Sequence, residues 1–198
     1  MALREITLRI NDREYRGRAE TRKTLADFIR EDCALTGTHL GCEHGVCGAC
    51  TILMNGEAVR SCLLFAVQAE GADLRTVEGL ADGEHLHPIQ QAFWESHALQ
   101  CGFCTPGFLM TTLAFLRENP HPTDREIREA LAGNLCRCTG YQNIVTAVAA
   151  AAEANLSQGW KVPEAKEVRR EIRAGDSRDR RTQRAGIAKT KKRRTQRR

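Results

Sequence analysis

Eight of the nine cysteines in this chain fall into two sets of four. The first set is Cys42, Cys47, Cys50 and Cys62, in GCEHGVCGAC and a following SCL. The second is Cys101, Cys104, Cys136 and Cys138, in QCGFCTPG and NLCRCTG. A C-x4-C-x2-C run with a fourth cysteine further on is a spacing that holds a [2Fe–2S] cluster. The second set pairs a C-x2-C with a distant C-x-C, which is less widely shared and more diagnostic. Two such sites in one short chain can carry electrons from one place to another.

Two ferric irons, two sulfides and four thiolates sum to minus two, and to minus three after one electron is added. The protein must therefore supply donors to anionic sulfur. Gly41, Gly45 and Gly48 are expected to take positive φ and turn backbone N–H groups toward the first site. Cys101 and Cys104 precede a helix opening at Pro106, and Cys136 and Cys138 precede another after Gly140. Both helices would aim positive N-terminal ends at one anion. In extended backbone, Cys136 and Cys138 would point the same way. Structural zinc, held by four cysteines, is the competing reading, although C-x4-C-x2-C and C-x-C fit it poorly.

The remaining sequence supplies elements to position these loops. Ile6, Leu8 and Ile10 alternate on one strand face, and Asn11-Asp12 offers a turn. A helix is predicted after Lys23, capped by Thr24, with Leu25, Phe28 and Ile29 on one face. Asn55-Gly56 between Thr51–Met54 and Glu57–Arg60 is a hairpin signal. These make a small mixed sheet with one packed helix, closing near Thr76. From Pro88 the pattern turns helical. Ile89 and Phe93 mark one helix, Leu109, Leu113 and Leu116 a second that stops at Asn119-Pro120. Thr123 and Glu126 form a capping box for a third, and Ile144, Val148 and Ala152 mark a fourth. Trp94 and Phe93 read as helix packing, Cys33 as a small buried hydrophobe, and His44 as exposed.

The net charge of +5 averages two unlike parts. From Ser157 to Arg198 there are 16 Lys and Arg against 5 Asp and Glu, a net of +11; the rest carries −6. The tail is expected to be disordered, with Lys161–Arg173 as a frayed helix at most. It reads as inert, as docking an acidic partner, or as a non-specific polyanion binder; no aromatic residue follows Trp160 to stack on bases. The N-terminal segment MALREITLRI has no apolar signal core, and no stretch approaches the length of a membrane span. A cytoplasmic setting, where thiols stay reduced, is the expectation.

GCEHGVCGACTILMNGEAVRSC, LQCGFCTPGFLM and GNLCRCTGYQNIV resemble the signature stretches of the small iron–sulfur subunit of molybdenum hydroxylases. That family includes xanthine dehydrogenase, aldehyde oxidoreductase and aerobic carbon monoxide dehydrogenase. The linking text SCLLFAVQAEGADLRTVEGL is closest in wording to the carbon monoxide dehydrogenase type. The resemblance runs from about Leu3 to Asn155 and implies an α+β architecture. A plant-type ferredoxin (β-grasp) domain over 1–77 would precede an all-α four-helix [2Fe–2S]-binding domain over 78–156, with the basic tail over 157–198. All eight paired cysteines would be cluster ligands. Gln100 and Cys138 would approach the molybdopterin of a separate large subunit. The ferredoxin-domain cluster would pass electrons to FAD on a medium subunit. The chain would then be the iron–sulfur subunit of an oxidoreductase, inert alone toward an organic substrate such as an aldehyde, N-heterocycle or purine, or toward CO. An iron–sulfur regulator using the tail on DNA, and a zinc-stapled interaction protein, are the alternatives.

Overall fold

The computed structural model describes residues 2–158. The expected disorder of the tail and the frayed helix at Lys161–Arg173 lie outside the described residues. The described part falls within one compact unit.

Strands β1 (Leu3–Ile10) and β2 (Arg13–Glu20) form an antiparallel hairpin. Its turn residues, Asn11 and Asp12, have φ of 50° and 65°. Two left-handed residues give the turn a twist that matches the strands, and Asn and Asp tolerate that conformation. The alternation in β1 buries Ile6, Leu8 and Ile10 on one face. After Lys23 comes α1 (Leu25–Asp27), with Thr24 Oγ1 accepting from the Asp27 N–H at 3.1 Å. This single turn runs on as a π-helical turn (Phe28–Asp32), where the Cys33 N–H reaches the Phe28 carbonyl at 3.1 Å. The apolar spacing fits either pitch, so the widening is invisible in the sequence.

Strands β3 (Thr51–Met54) and β4 (Glu57–Arg60) pair across Asn55-Gly56, both at positive φ. Strand β5 (Asp73–Arg75) lies parallel to β1 and antiparallel to β3, giving the order β2-β1-β5-β3-β4. Ile6, Leu8, Ile10, Leu25, Phe28, Ile29, Ile52 and Leu74 fill one core. Burying each such side chain contributes about 1.5–3 kcal/mol. This is the ferredoxin-type α+β half.

Four helices follow: α2 (Pro88–Glu95), α3 (Thr105–Glu118), α4 (Asp124–Leu131) and α5 (Gln142–Gln158). Helix α2 opens on a capping box: His87 Nδ1 accepts from the Ile89 N–H at 3.2 Å, and Gln90 Oε1 accepts from the His87 N–H at 2.9 Å. The expected box at Thr123 and Glu126 opens α4. Ile89, Phe93, Phe108, Leu113, Leu116, Ile127, Leu131, Ile144 and Val148 form the second core. Trp94 departs from expectation: it is 66 % exposed while Phe93 beside it is buried, because adjacent helical residues point about 100° apart.

The two cores meet. Leu53 of β3 and Leu80 pack into the helical cluster. In the first turn of α3, Gly107 lies so close to the loop before β3 that an added Cβ would sit 2.3 Å from the Gly48 carbonyl oxygen. That approach brings the start of α3 against the loop holding the first cysteines.

Candidate iron–sulfur centres

The first quartet is gathered by the loop before β3 and by the turn after β4. Cys62 stands in a 3-10 turn, Ser61–Leu63. The fully buried Ser61 ties that turn to the cysteine before β3, its hydroxyl donating to the Cys50 carbonyl at 2.8 Å and its N–H to the same oxygen at 3.3 Å. Cys50 and Cys62 are buried, whereas Cys42 and Cys47 are half-buried. Gly45 and Gly48 have φ of 85° and 74°, as the loop requires. Gly41 differs from expectation: it is outside the left-handed region, where Glu43 sits instead at 55°. Its role is clearance, since a Cβ there would lie 3.1 Å from Cys47 Sγ and 3.3 Å from the Phe103 ring.

Within this quartet the sulfurs form two close pairs. Cys42 lies beside Cys47, and Cys50 beside Cys62. The Cys47 N–H points at Cys42 Sγ at 3.4 Å. That amide, followed by those of His44 and Val46, pulls the Cys42 thiol down to about 6. Burial, and then Cys50, push Cys62 up to about 11. Burial also raises Cys47. Here backbone N–H groups do turn toward anionic sulfur, as the glycine-rich spacing implied.

The second quartet is built from the approach to α3 and the loop between α4 and α5. Cys104 is the N-cap residue of α3. Cys101 Sγ and Cys138 Sγ are 3.5 Å apart, and Cys104 lies beside Cys136. Cys136 and Cys138 therefore do not act as one pair. The backbone from Arg137 to Thr139 bends instead of extending, so each of the two sulfurs faces a different cysteine of the C-x2-C. Burial and then Cys136 push Cys104 up to about 12. Burial alone would raise Cys136, but the Thr139 hydroxyl at 3.1 Å and its N–H at 3.5 Å outweigh this and lower it. The Phe103 N–H, and then Cys138, lower Cys101, while Cys101 raises Cys138.

In three of these four pairs one sulfur is lowered and its neighbour raised. Two adjacent thiolates repel, so a pair ionises fully only with positive charge beside it. Iron held there would supply that charge. Two sulfur pairs per site suit two irons, one at each end of a cluster. A single zinc would draw all four sulfurs about one point. The donor set thus fits a [2Fe–2S] group at each quartet.

Gln100, Cys101 and Cys138 are all exposed, so the second quartet opens to the surface. His44 is exposed, as expected, with its Nδ1 against the Cys42 carbonyl, and Arg137 is exposed too. Cys33 is buried among Phe28 and its neighbours, and burial raises its thiol to about 11. Four residues with a part in the site escape the sequence reading. His39 stacks on Phe103, ring centroids 4.9 Å apart. Thr139 donates to Cys136. Arg60 and the buried Asn134 join the two cysteine loops. Only adjacency to the cysteines hints at Thr139 and Asn134; Arg60 reads as an ordinary strand cation.

With this geometry in place, comparison with known proteins defines the class first. Residues 8–81 match the family described as 2Fe-2S iron-sulfur cluster binding domain, and residues 76–149 match the [2Fe-2S] binding domain family. The nicotine 6-hydroxylase small subunit of Paenarthrobacter nicotinovorans is 60% identical over 73% of this chain and 87% of its own length. The caffeine dehydrogenase subunit gamma of Pseudomonas sp. (strain CBB1) is 56% identical over 75% of this chain and 90% of its own. A solved chain of quinoline 2-oxidoreductase from Pseudomonas putida 86 superposes with a TM-score of 0.76 at 52% identity, covering 78% of this chain and 97% of that one. The chain belongs to the small iron–sulfur subunits of the molybdenum hydroxylase family. It is the iron–sulfur subunit of an oxidoreductase, with an electron-transfer role. These three relatives do not carry the particular likeness to carbon monoxide dehydrogenase.

Proposed function

We propose that this chain relays electrons, one at a time, between a molybdopterin-binding large subunit and an FAD-binding medium subunit. The observation that carries the reading is the resolution of both quartets into facing sulfur pairs. Cys42 with Cys47 and Cys50 with Cys62 would each hold one iron of the first cluster. Cys101 with Cys138 and Cys104 with Cys136 would hold those of the second. The clusters supply a reversible one-electron couple, and hydrogen bonds to sulfur together with exposure set its potential.

This chain's residues do the rest. The amides around Cys42 and the hydroxyl of Thr139 neutralise charge on sulfur. Ser61 holds the Cys62 turn against Cys50 within one pair. The exposed face of Gln100, Cys101 and Cys138 is where the large subunit would dock, with Gln100 and Cys138 approaching its pterin. The substrate would be bound by that large subunit, and this chain alone would be inert toward it. The names of the relatives cited (nicotine, caffeine, quinoline) favour a nitrogen heterocycle over an aldehyde or CO. A cytoplasmic assembly suits eight reduced thiols. Among the described residues no helix is long and apolar enough to cross a membrane.

Anaerobic purification followed by metal analysis and EPR tests the reading. About four irons per chain, two distinguishable reduced [2Fe–2S] signals and negligible zinc are expected. A colourless protein loaded with zinc would overturn it. Retention of sequence-specific DNA binding at physiological salt, lost on removing Ser157–Arg198, would instead revive the regulator.

A further inference from the structure

The two cysteine loops are joined by a direct backbone contact. The Leu135 N–H donates to the Cys47 carbonyl at 2.9 Å. Leu135 is bonded to Cys136, so one hydrogen bond and one residue link a cysteine of each quartet. Around this contact lies a polar cluster whose centre, Asn134, is 1 % exposed. Its Nδ2 donates to the Gly48 carbonyl at 3.2 Å, and its Oδ1 accepts from Thr111 Oγ1 at 3.0 Å. Arg60 reaches in from β4, donating to the Gly133 carbonyl at 2.7 Å and, more weakly, to Asn134 Oδ1 at 3.4 Å. Its other nitrogen donates to Thr51 Oγ1, which donates in turn to the Gly48 carbonyl at 2.6 Å.

Every polar atom of the Asn134 side chain is thus used, and every partner lies on an element carrying a cysteine or flanking one. The fit leaves no slack. A Cβ at Gly48 would lie 2.5 Å from the Gly133 carbonyl oxygen and 2.8 Å from the Asn134 amide. A buried amide with a partner at both its nitrogen and its oxygen favours one geometry, since a shift leaves a desolvated polar group unpaired.

We propose that Asn134, braced by Arg60, is a positioning residue that clamps the Leu135 N–H onto the Cys47 carbonyl and so fixes the separation of the two clusters and the route between them. The inference rests on the cluster reading above. In the transfer it would serve, one electron would pass from the group held by Cys104 and Cys136 to the group held by Cys42 and Cys47, the first oxidised and the second reduced by one. The clamp touches neither sulfur quartet through its own side chains, so its loss changes spacing before it changes ligation.

The test compares wild-type protein with N134A and R60M. The latter removes only the brace, whose side chain is part-exposed. Both are read by iron content, by the magnetic interaction between the two reduced centres in EPR, and by deuterium exchange of the peptide holding Leu135. The expected result is full iron, a weakened or altered spin–spin splitting, and roughly tenfold faster exchange at Leu135 in both variants, the loss of about one hydrogen bond's protection. Unchanged splitting and exchange in iron-replete variants would overturn the clamp. Loss of the second site's iron in both variants would overturn it too, since the residues would then hold the site itself. Absence of both signals from the wild type sinks the cluster reading instead, so the two failures are distinct.

Discussion

Gly107 Cα approaches the Gly48 carbonyl so closely that even a methyl group cannot stand between them: the built Cβ lies 2.3 Å from that oxygen and 3.1 Å from the Cα of Ala49. Both obstructing atoms are backbone and cannot swing aside. Gly107→Ala would ordinarily help a helix by about 1 kcal/mol. Here the sign reverses, and a loss of about 3 kcal/mol is expected from overpacking. Chemical denaturation of the two proteins measures the difference. A neutral or stabilising result would mean that α3 and the first loop are not held together.

Ligand replacement should be site-selective. Cys47→Ser is expected to lose the EPR signal of the first centre and keep the second, and Cys104→Ser to do the reverse. Cys33→Ala, in the ferredoxin-type core, should keep both signals and all the iron while costing about 1 kcal/mol for the small cavity. Two signals disappearing together after either serine replacement would contradict two independent sites.

Gln100 is exposed, so Gln100→Ala should leave folding and both signals untouched. In the assembled complex, where Gln100 is proposed to approach the partner's pterin, the change should slow substrate-driven reduction by about tenfold, the worth of about one hydrogen bond. Stopped-flow bleaching of the clusters on mixing with substrate reads this directly. An unchanged rate would remove Gln100 from the route.

His87 gives the chain a pH dependence of defined sign. Burial, and then the charge of Arg75, hold its imidazole down to about 4 from a usual 6.5. The unfolded chain therefore takes up a proton first as pH falls. The cap's stability is complete above about 6.5 and is lost progressively toward 4. Because Nδ1 must accept from the Ile89 N–H, protonation also removes the cap. His87→Asn keeps an acceptor that does not titrate. Thermal melts from pH 7 to 4 should fall less steeply for this variant, by on the order of 1 kcal/mol, since the ring is only partly buried. Parallel slopes would show that His87 does not set the acid limb.

The sequence by itself determined the two cysteine quartets proposed as ligands, the β3–β4 hairpin and the four later helices, though not the strands β2 and β5. Cysteine spacing needs no tertiary information, because C-x4-C-x2-C and C-x2-C with C-x-C are local patterns that restrict which metal chemistry can follow. Asn11-Asp12, Asn55-Gly56, Thr24, and Thr123 with Glu126 are likewise local, since turns and caps are satisfied within a few residues. What only the tertiary structure decided is how distant pieces pair. Cys138 faces Cys101 and Cys136 faces Cys104 because the chain bends at Arg137. Trp94 lies outside the core, Gly41 serves clearance instead of positive φ, and the segment after Asp27 widens into a π turn. Asn134 and Arg60 belong to no periodic pattern, yet they meet between the two loops. Their partners are backbone carbonyls brought near by packing over more than seventy residues of separation, and no local rule carries information over that span.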